Sequence, residues 1–172
     1  MTRYQLAKLV EWAGTFHSRK RMQKLVFLLQ AAGCPLDADY DLHHYGPYSP
    51  DVARLTDEMV REQLLEERIE AHPYGEQYSY TLPEASRRQI EEYEAGPRGV
   101  QPAEQLARFQ ALARTLYQAD LRELEVASTL VFFRQQGYDW AAAVAKTCQF
   151  KDLPAGTPLV QQAEELARGI AG

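Results

Sequence analysis

Apolar residues recur along this chain at two spacings, and they divide it into elements. Leu6, Leu9, Val10 and Ala13 fall at helical spacing and Gly14 follows as a stop, which predicts a helix over 3–13. Ser18 precedes a second run, Met22, Leu25, Val26, Leu29 and Ala32, ended by Gly33 and Pro35. This helix, over 19–32, is apolar on more than one face, as a central helix is. Residues 40–45 (YDLHHY) alternate as a short strand does, and Gly46-Pro47 is expected to break it. Ser49 then reads as an N-cap and Pro50 as the first residue of a helix reaching about residue 63, with Val52, Leu55 and Met59 inward. Two strands are expected over 65–69 and 77–82, with Pro73-Tyr74-Gly75 as turn chemistry between them. Pro83-Glu84 opens another helix that ends near Gly96-Pro97.

Beyond the Gly- and Pro-rich stretch 95–102 the pattern is only helical, with helices expected over 102–117, 120–136, 139–148 and 158–169. Asp120 and Asp139 read as N-caps. A helical trio with a small β-hairpin followed by helices predicts an α+β, mostly α fold. Residues 1–95 form a winged-helix-like module in this reading, and residues 96–172 a helical subdomain packed on it. A chain of 172 residues can bury a core without a metal or a disulfide. Cys34 and Cys148 stand far apart and outside any CxxC, so two reduced thiols are expected. The N-terminal stretch carries charge through its apolar run, and no segment nears the ~18 apolar residues of a membrane span. A cytoplasmic protein with no membrane partner is the expectation.

Charge changes this picture. The net charge of −5 conceals a segment, residues 1–36, that carries +5, and a remainder that carries −10. Arg19, Lys20, Arg21 and Lys24 cluster at the start of a helix, where cations and free amides together suit phosphate. Duplex DNA is the partner this cluster would take. The competing reading is a solvated helix start, or pairing with the acidic rest of the chain. The presumed recognition helix sets Arg54 and Arg61 against Asp51, Asp57, Glu58 and Glu62, and acids face a phosphate groove unfavourably. The hairpin tip, HPYGEQ, has no Arg or Lys. The gap between the helices over 19–32 and 50–63 is also longer than the turn of ~3–4 residues in a simple helix-turn-helix.

No catalytic constellation emerges. Asp37, Asp39 and Asp41 match the opening of a calcium loop, but Leu42 stands where the loop needs Gly and Tyr48 where it needs Glu. His43 and His44 are adjacent, so in a strand they point to opposite faces. No metal site, cofactor or catalytic residue is expected, and Glu66-Glu67 reads as solvated charge. A non-enzymatic protein follows. Ten tyrosines are present, and Tyr40, Tyr45, Tyr48, Tyr74, Tyr78, Tyr80 and Tyr93 share the first module. Tyrosine buries area at low entropic cost and suits either a small core or a contact surface. In Tyr45-Gly46-Pro47-Tyr48-Ser49-Pro50, Gly46 permits a turn, the prolines pin φ and Ser49 caps the helix. The step therefore reads either as a hinge fixing the core or as a partner-binding face made of Tyr45, Gly46, Pro47, Tyr48 and Ser49, with Tyr74 on the hairpin. The apolar helices after residue 100 suit an intramolecular core or a homodimer seam.

Three stretches together resemble a known family: RMQKLVFLLQ at 21–30, HHYGPYSPDVARLTDEMV at 43–60 and YSYTL at 78–82. They are similar to the YwgA-like family of uncharacterised bacterial proteins, and more distantly to the SocA-like Panacea domain; LEVASTLVFF at 124–133 also resembles the YwgA-like pattern. The first likeness carries no activity with it. The second implies roles in toxin neutralisation or as an adaptor in proteolysis. Two function classes stay open: a nucleic-acid-associated regulator of winged-helix type, and a protein–protein interaction module, adaptor-like or antitoxin-like.

Overall fold

A computed structural model describes residues 1–171. Helix α1 (Arg3–Ala13) starts at Thr2, whose hydroxyl accepts from the Gln5 amide while the Gln5 side chain accepts from the Thr2 amide. This reciprocal box satisfies two of the helix's orphan donors. After α1 come strand β1 (Thr15–His17), helix α2 (Arg19–Ala31), strands β2 (Asp41–His43) and β3 (Gly46–Tyr48), and helix α3 (Pro50–Arg61). The hairpin β4 (Glu66–His72) and β5 (Gly75–Thr81) follows, then helices α4 (Glu84–Ala95), α5 (Val100–Ala107), α6 (Gln110–Gln118), α7 (Leu121–Gln135), α8 (Trp140–Lys151) and α9 (Pro158–Ala171). The fold is thus α+β and mostly α. Ser49 caps α3 by accepting from the Val52 amide, and Asp120 and Asp139 cap α7 and α8. No helix among the described residues is long and apolar enough to cross a membrane.

Two expectations need correction, and one strand stands where none was expected. Gly46-Pro47 does not break the strand: it is part of β3, which folds back antiparallel on β2 with Leu42 opposite Pro47. β3 has a strand on one side only, and a proline without an amide proton is tolerated at such an edge. The helix expected over 102–117 is two helices, α5 and α6, separated at Arg108 and Phe109. Strand β1 carries no sequence signal of its own. It pairs with β5, Phe16 opposite Tyr80, and completes a sheet of order β1-β5-β4. Setting aside the β2–β3 hairpin, which lies between α2 and α3, the first 81 residues run helix, strand, helix, helix, strand, strand, with the first strand against the last.

Helix α2 is the centre of the molecule, and every residue from Met22 to Leu29 is buried. It packs against α6, α7, α9 and β3, so one apolar cluster runs from Leu6 and Phe16 to Leu124, Leu130 and Ala163. The cluster is continuous across the 95–102 stretch. Arg21 reinforces that continuity by donating to the carbonyls of Tyr117 (2.9 Å) and Ala119 (2.6 Å) at the end of α6. A cation there answers the exposed carbonyls and the negative end of the helix.

Candidate functional site

A cleft of about 430 Å³ opens between the first half of α2, the first half of α3 and the β2–β3 hairpin. Met22 and Val52 give it an apolar floor, and Tyr45 and Tyr48 line the hairpin side. Two features that the sequence presents separately meet here: Arg19, Lys20 and Lys24 line the same cleft as Tyr45, Gly46 and Tyr48.

The hairpin is held from two sides. Gln23, buried on α2, clasps the backbone of Ser49: its amide nitrogen donates to the Ser49 carbonyl (3.0 Å) and its amide oxygen accepts from the Ser49 N–H (2.8 Å). The hydroxyl of Tyr40 donates to the Gln23 carbonyl at 3.1 Å. From the other side α7 presses on Gly46, whose φ of +97° lies in the left-handed region. A Cβ there would sit 2.5 Å from Thr129 Oγ1. Gly46, Pro47 and Ser49 are buried, so within the step Tyr45, the half-buried Tyr48 and Pro50 face outward. Tyr45 is 53% exposed. Tyr74 is almost fully exposed, but it sits at the β4–β5 tip, outside the cleft lining.

Each of the four basic residues is engaged within the chain. Arg19 donates to Tyr80 Oη (2.7 Å), Glu67 (2.8 Å) and Asp57 (3.2 Å), and its guanidinium lies 4.2 Å from the centre of the Tyr78 ring. Glu67, expected to be solvated, also accepts from Tyr80 Oη at 2.7 Å and so ties the hairpin to α2. Lys20 is exposed on one side, pairs with Glu125 of α7 at 3.3 Å, and stands 3.8 Å from the centre of the Tyr45 ring. Arg21 closes α6 as described, and Lys24 is 2% exposed. The pairing partners lie 38 to 105 residues away along the chain, which is why charge counting alone does not find them.

Lys24 is the group that sequence reasoning mislocates. Its Nζ donates to the Pro47 carbonyl at 2.6 Å, and that oxygen is its single acceptor among the described residues. Burial lowers its pKa to about 8, Lys151 and Lys20 push the same way, and Glu125 opposes them. The signal was available: a lysine within a helix that is apolar on several faces has few routes to water. The sign of its effect on stability follows. Between about 8 and the ordinary value of 10.5 the unfolded chain binds more protons at this site than the folded one, so stability rises with pH. At ~1.4 kcal/mol per unit this contribution is on the order of 2–3 kcal/mol. Burial raises the Cys34 thiol and so works the other way over the same range, which makes the difference between wild type and Lys24→Met the quantity to read: between pH 7.5 and pH 10, urea denaturation should move it in favour of wild type by about 2 kcal/mol. A difference that stays constant with pH would mean that Lys24 titrates normally.

No group of three or more His, Cys, Asp or Glu side chains comes together as a metal site among the described residues. Cys34 and Cys148 are both free and buried, and burial pushes the Cys34 thiol up to about 11, which makes it a poor nucleophile.

No family model matches the chain. Over 80 residues it is 31% identical to the uncharacterized protein YwgA of Bacillus subtilis (strain 168), a match covering 46% of this chain and 48% of the relative. The match thus spans about half the length of the curated relative, and it supports the likeness to a YwgA-like family. The relative is itself uncharacterised and brings no activity with it.

Proposed function

We propose that this YwgA-like chain is a non-enzymatic interaction module that engages a protein partner at the cleft, through the outward faces of Tyr45 and Tyr48. One observation carries the reading: the cleft is ligand-sized and open, with Tyr45, Tyr48, Met22 and Val52 in its lining, while Arg19 and Lys20 are already paired with carboxylates of the chain. Tyrosine is enriched at protein–protein interfaces, where it buries area at low entropic cost. The adaptor-like or antitoxin-like roles implied by the more distant likeness are forms such a module takes.

The connectivity of the first 81 residues favours a second reading, a nucleic-acid-associated regulator with α3 as the recognition helix. Its charge argues against it. Arg54 is tied to Asp51 (3.0 Å) and Glu58 (3.2 Å), and the cations of α2 would have to exchange carboxylates for phosphates.

Two measurements separate the readings. Capture from a lysate of the source cells should recover a defined protein with wild type and lose it with Tyr48→Ala. Equal recovery would remove the cleft as the partner site. Titration of a short DNA duplex at rising salt should give weak binding that Lys20→Gln/Arg54→Gln leaves unchanged. Binding with a steep salt dependence that the double variant flattens would instead establish the nucleic-acid reading.

A further inference from the structure

Lys24 is a cation with too few partners. An ammonium has three donors, and the Pro47 carbonyl satisfies one. No carboxylate stands within ion-pair distance of it among the described residues: Glu125 is paired with Lys20, and Asp57, the one acid lining the cleft, is paired with Arg19. Buried charges are ordinarily paired, and a cation left without an anion is costly. The lining is therefore cationic in balance, with Arg19, Lys20 and Lys24 against Asp57; Gln23, His43, His44 and Thr56 add polar groups, and Met22, Val52 and Tyr48 form an apolar and aromatic stretch. A volume of about 430 Å³ lies within the ~300–1,000 Å³ of small-molecule pockets.

We propose that the cleft binds a small amphipathic organic acid, its carboxylate paired with Lys24 and its apolar body lying along Met22, Val52 and Tyr48. The inference rests on the reading of the cleft as the binding site, but it requires no protein partner. The acid supplies the anion that the fold leaves out and covers the apolar floor, two requirements that neither an alcohol nor an inorganic anion meets together. Occupancy would also bear on the partner surface, because Tyr48 belongs to both.

Isothermal calorimetry at pH 7 with 4-phenylbutyrate and 4-phenylbutanol tests this. The acid should bind wild type at least tenfold more tightly than the alcohol. Lys24→Met, checked for native circular dichroism, should bind the two alike, whereas Arg88→Met, on α4 and outside the cleft lining, should keep the preference. Equal affinity of acid and alcohol for wild type, absence of binding by either, or a preference that survives in Lys24→Met would each overturn the proposal. The wild-type comparison stands even where Lys24→Met does not fold. Loss of partner capture in Tyr48→Ala without any binding of 4-phenylbutyrate would sink this inference and leave the interaction module standing. Acid binding with unchanged capture would do the reverse.

Discussion

Gly46→Ala is expected to destabilise the protein by about 2–5 kcal/mol and to disorder the cleft. Two costs combine. The backbone at φ +97° is strained for any residue with a Cβ, at ~1–2 kcal/mol. The added methyl also lands 2.5 Å from Thr129 Oγ1 and 3.5 Å from Lys24 Nζ. Thr129 is fully buried on α7, and its hydroxyl donates to the Glu125 carbonyl at 2.8 Å, so it has little room to turn away. Overpacking of this kind costs ~1–3 kcal/mol. The double variant Gly46→Ala/Thr129→Ala separates the terms. Removing the Thr129 side chain beyond Cβ should recover the steric part and leave the backbone part, so urea denaturation of the four species should give a coupling energy of at least 1 kcal/mol. A coupling near zero would place the whole cost in the backbone and release α7 from its role as backstop to the hairpin. The glycine is needed here for close approach as well as for its φ, and Gly75, with a still larger φ, has nothing within 4 Å of its Cβ position.

The elements that could be read from the sequence are those that carry their own punctuation. Thr2, Ser18, Ser49, Asp120 and Asp139 each cap the helix expected after them, and Gly14 ends α1. Strand β1 had no such marker. Three residues with one inward side chain cannot show a period of two, and the strand exists because β5 offers an edge that it closes. The α5–α6 break was equally silent. Arg108 and Phe109 are ordinary helix residues, and the apolar spacing runs through them from Leu106 to Leu116. The proline in β3 misled because the rule against strand prolines applies to strands with neighbours on both sides.

The candidate site was half legible. Local sequence holds the residue types and their helical phase, so both the basic cluster and the YGPYSP step could be picked out, although not their meeting in one cleft. What the cations do there is set by Glu67, Asp57 and Glu125, which only the tertiary fold brings to them. Gln23 escaped notice for a related reason. A glutamine inside an apolar helix is ambiguous until a backbone segment lies against it, and here that segment is Ser49.

Phe16→Ala should be the most damaging single change in the first half of the chain, at about 3–5 kcal/mol. The ring is fully buried, lies opposite Tyr80 in the sheet and packs on Tyr117 of α6 at 5.1 Å between centroids. Tyr117 in turn donates its hydroxyl to the Thr15 carbonyl next to Phe16. Folded domains are stable by about 5–15 kcal/mol in all, so the variant should lose a third or more of that reserve. For a chain of this length each kcal/mol moves the thermal midpoint by about 2–4 °C, and a fall on the order of 10 °C is expected. The same variant reveals whether the two halves fold together. The chain has two tryptophans, Trp12 on α1 and Trp140 on α8, one on each side of the 95–102 stretch. With each replaced in turn by phenylalanine, fluorescence reports one half at a time. Because α2 packs on α6, α7 and α9 and the apolar cluster has no gap, both signals should fall at the same lowered midpoint. If Trp140 kept its wild-type transition while that of Trp12 dropped, the C-terminal helices would be an independent unit, and the contacts of Phe16 and Arg21 with α6 would be docking contacts rather than part of one core.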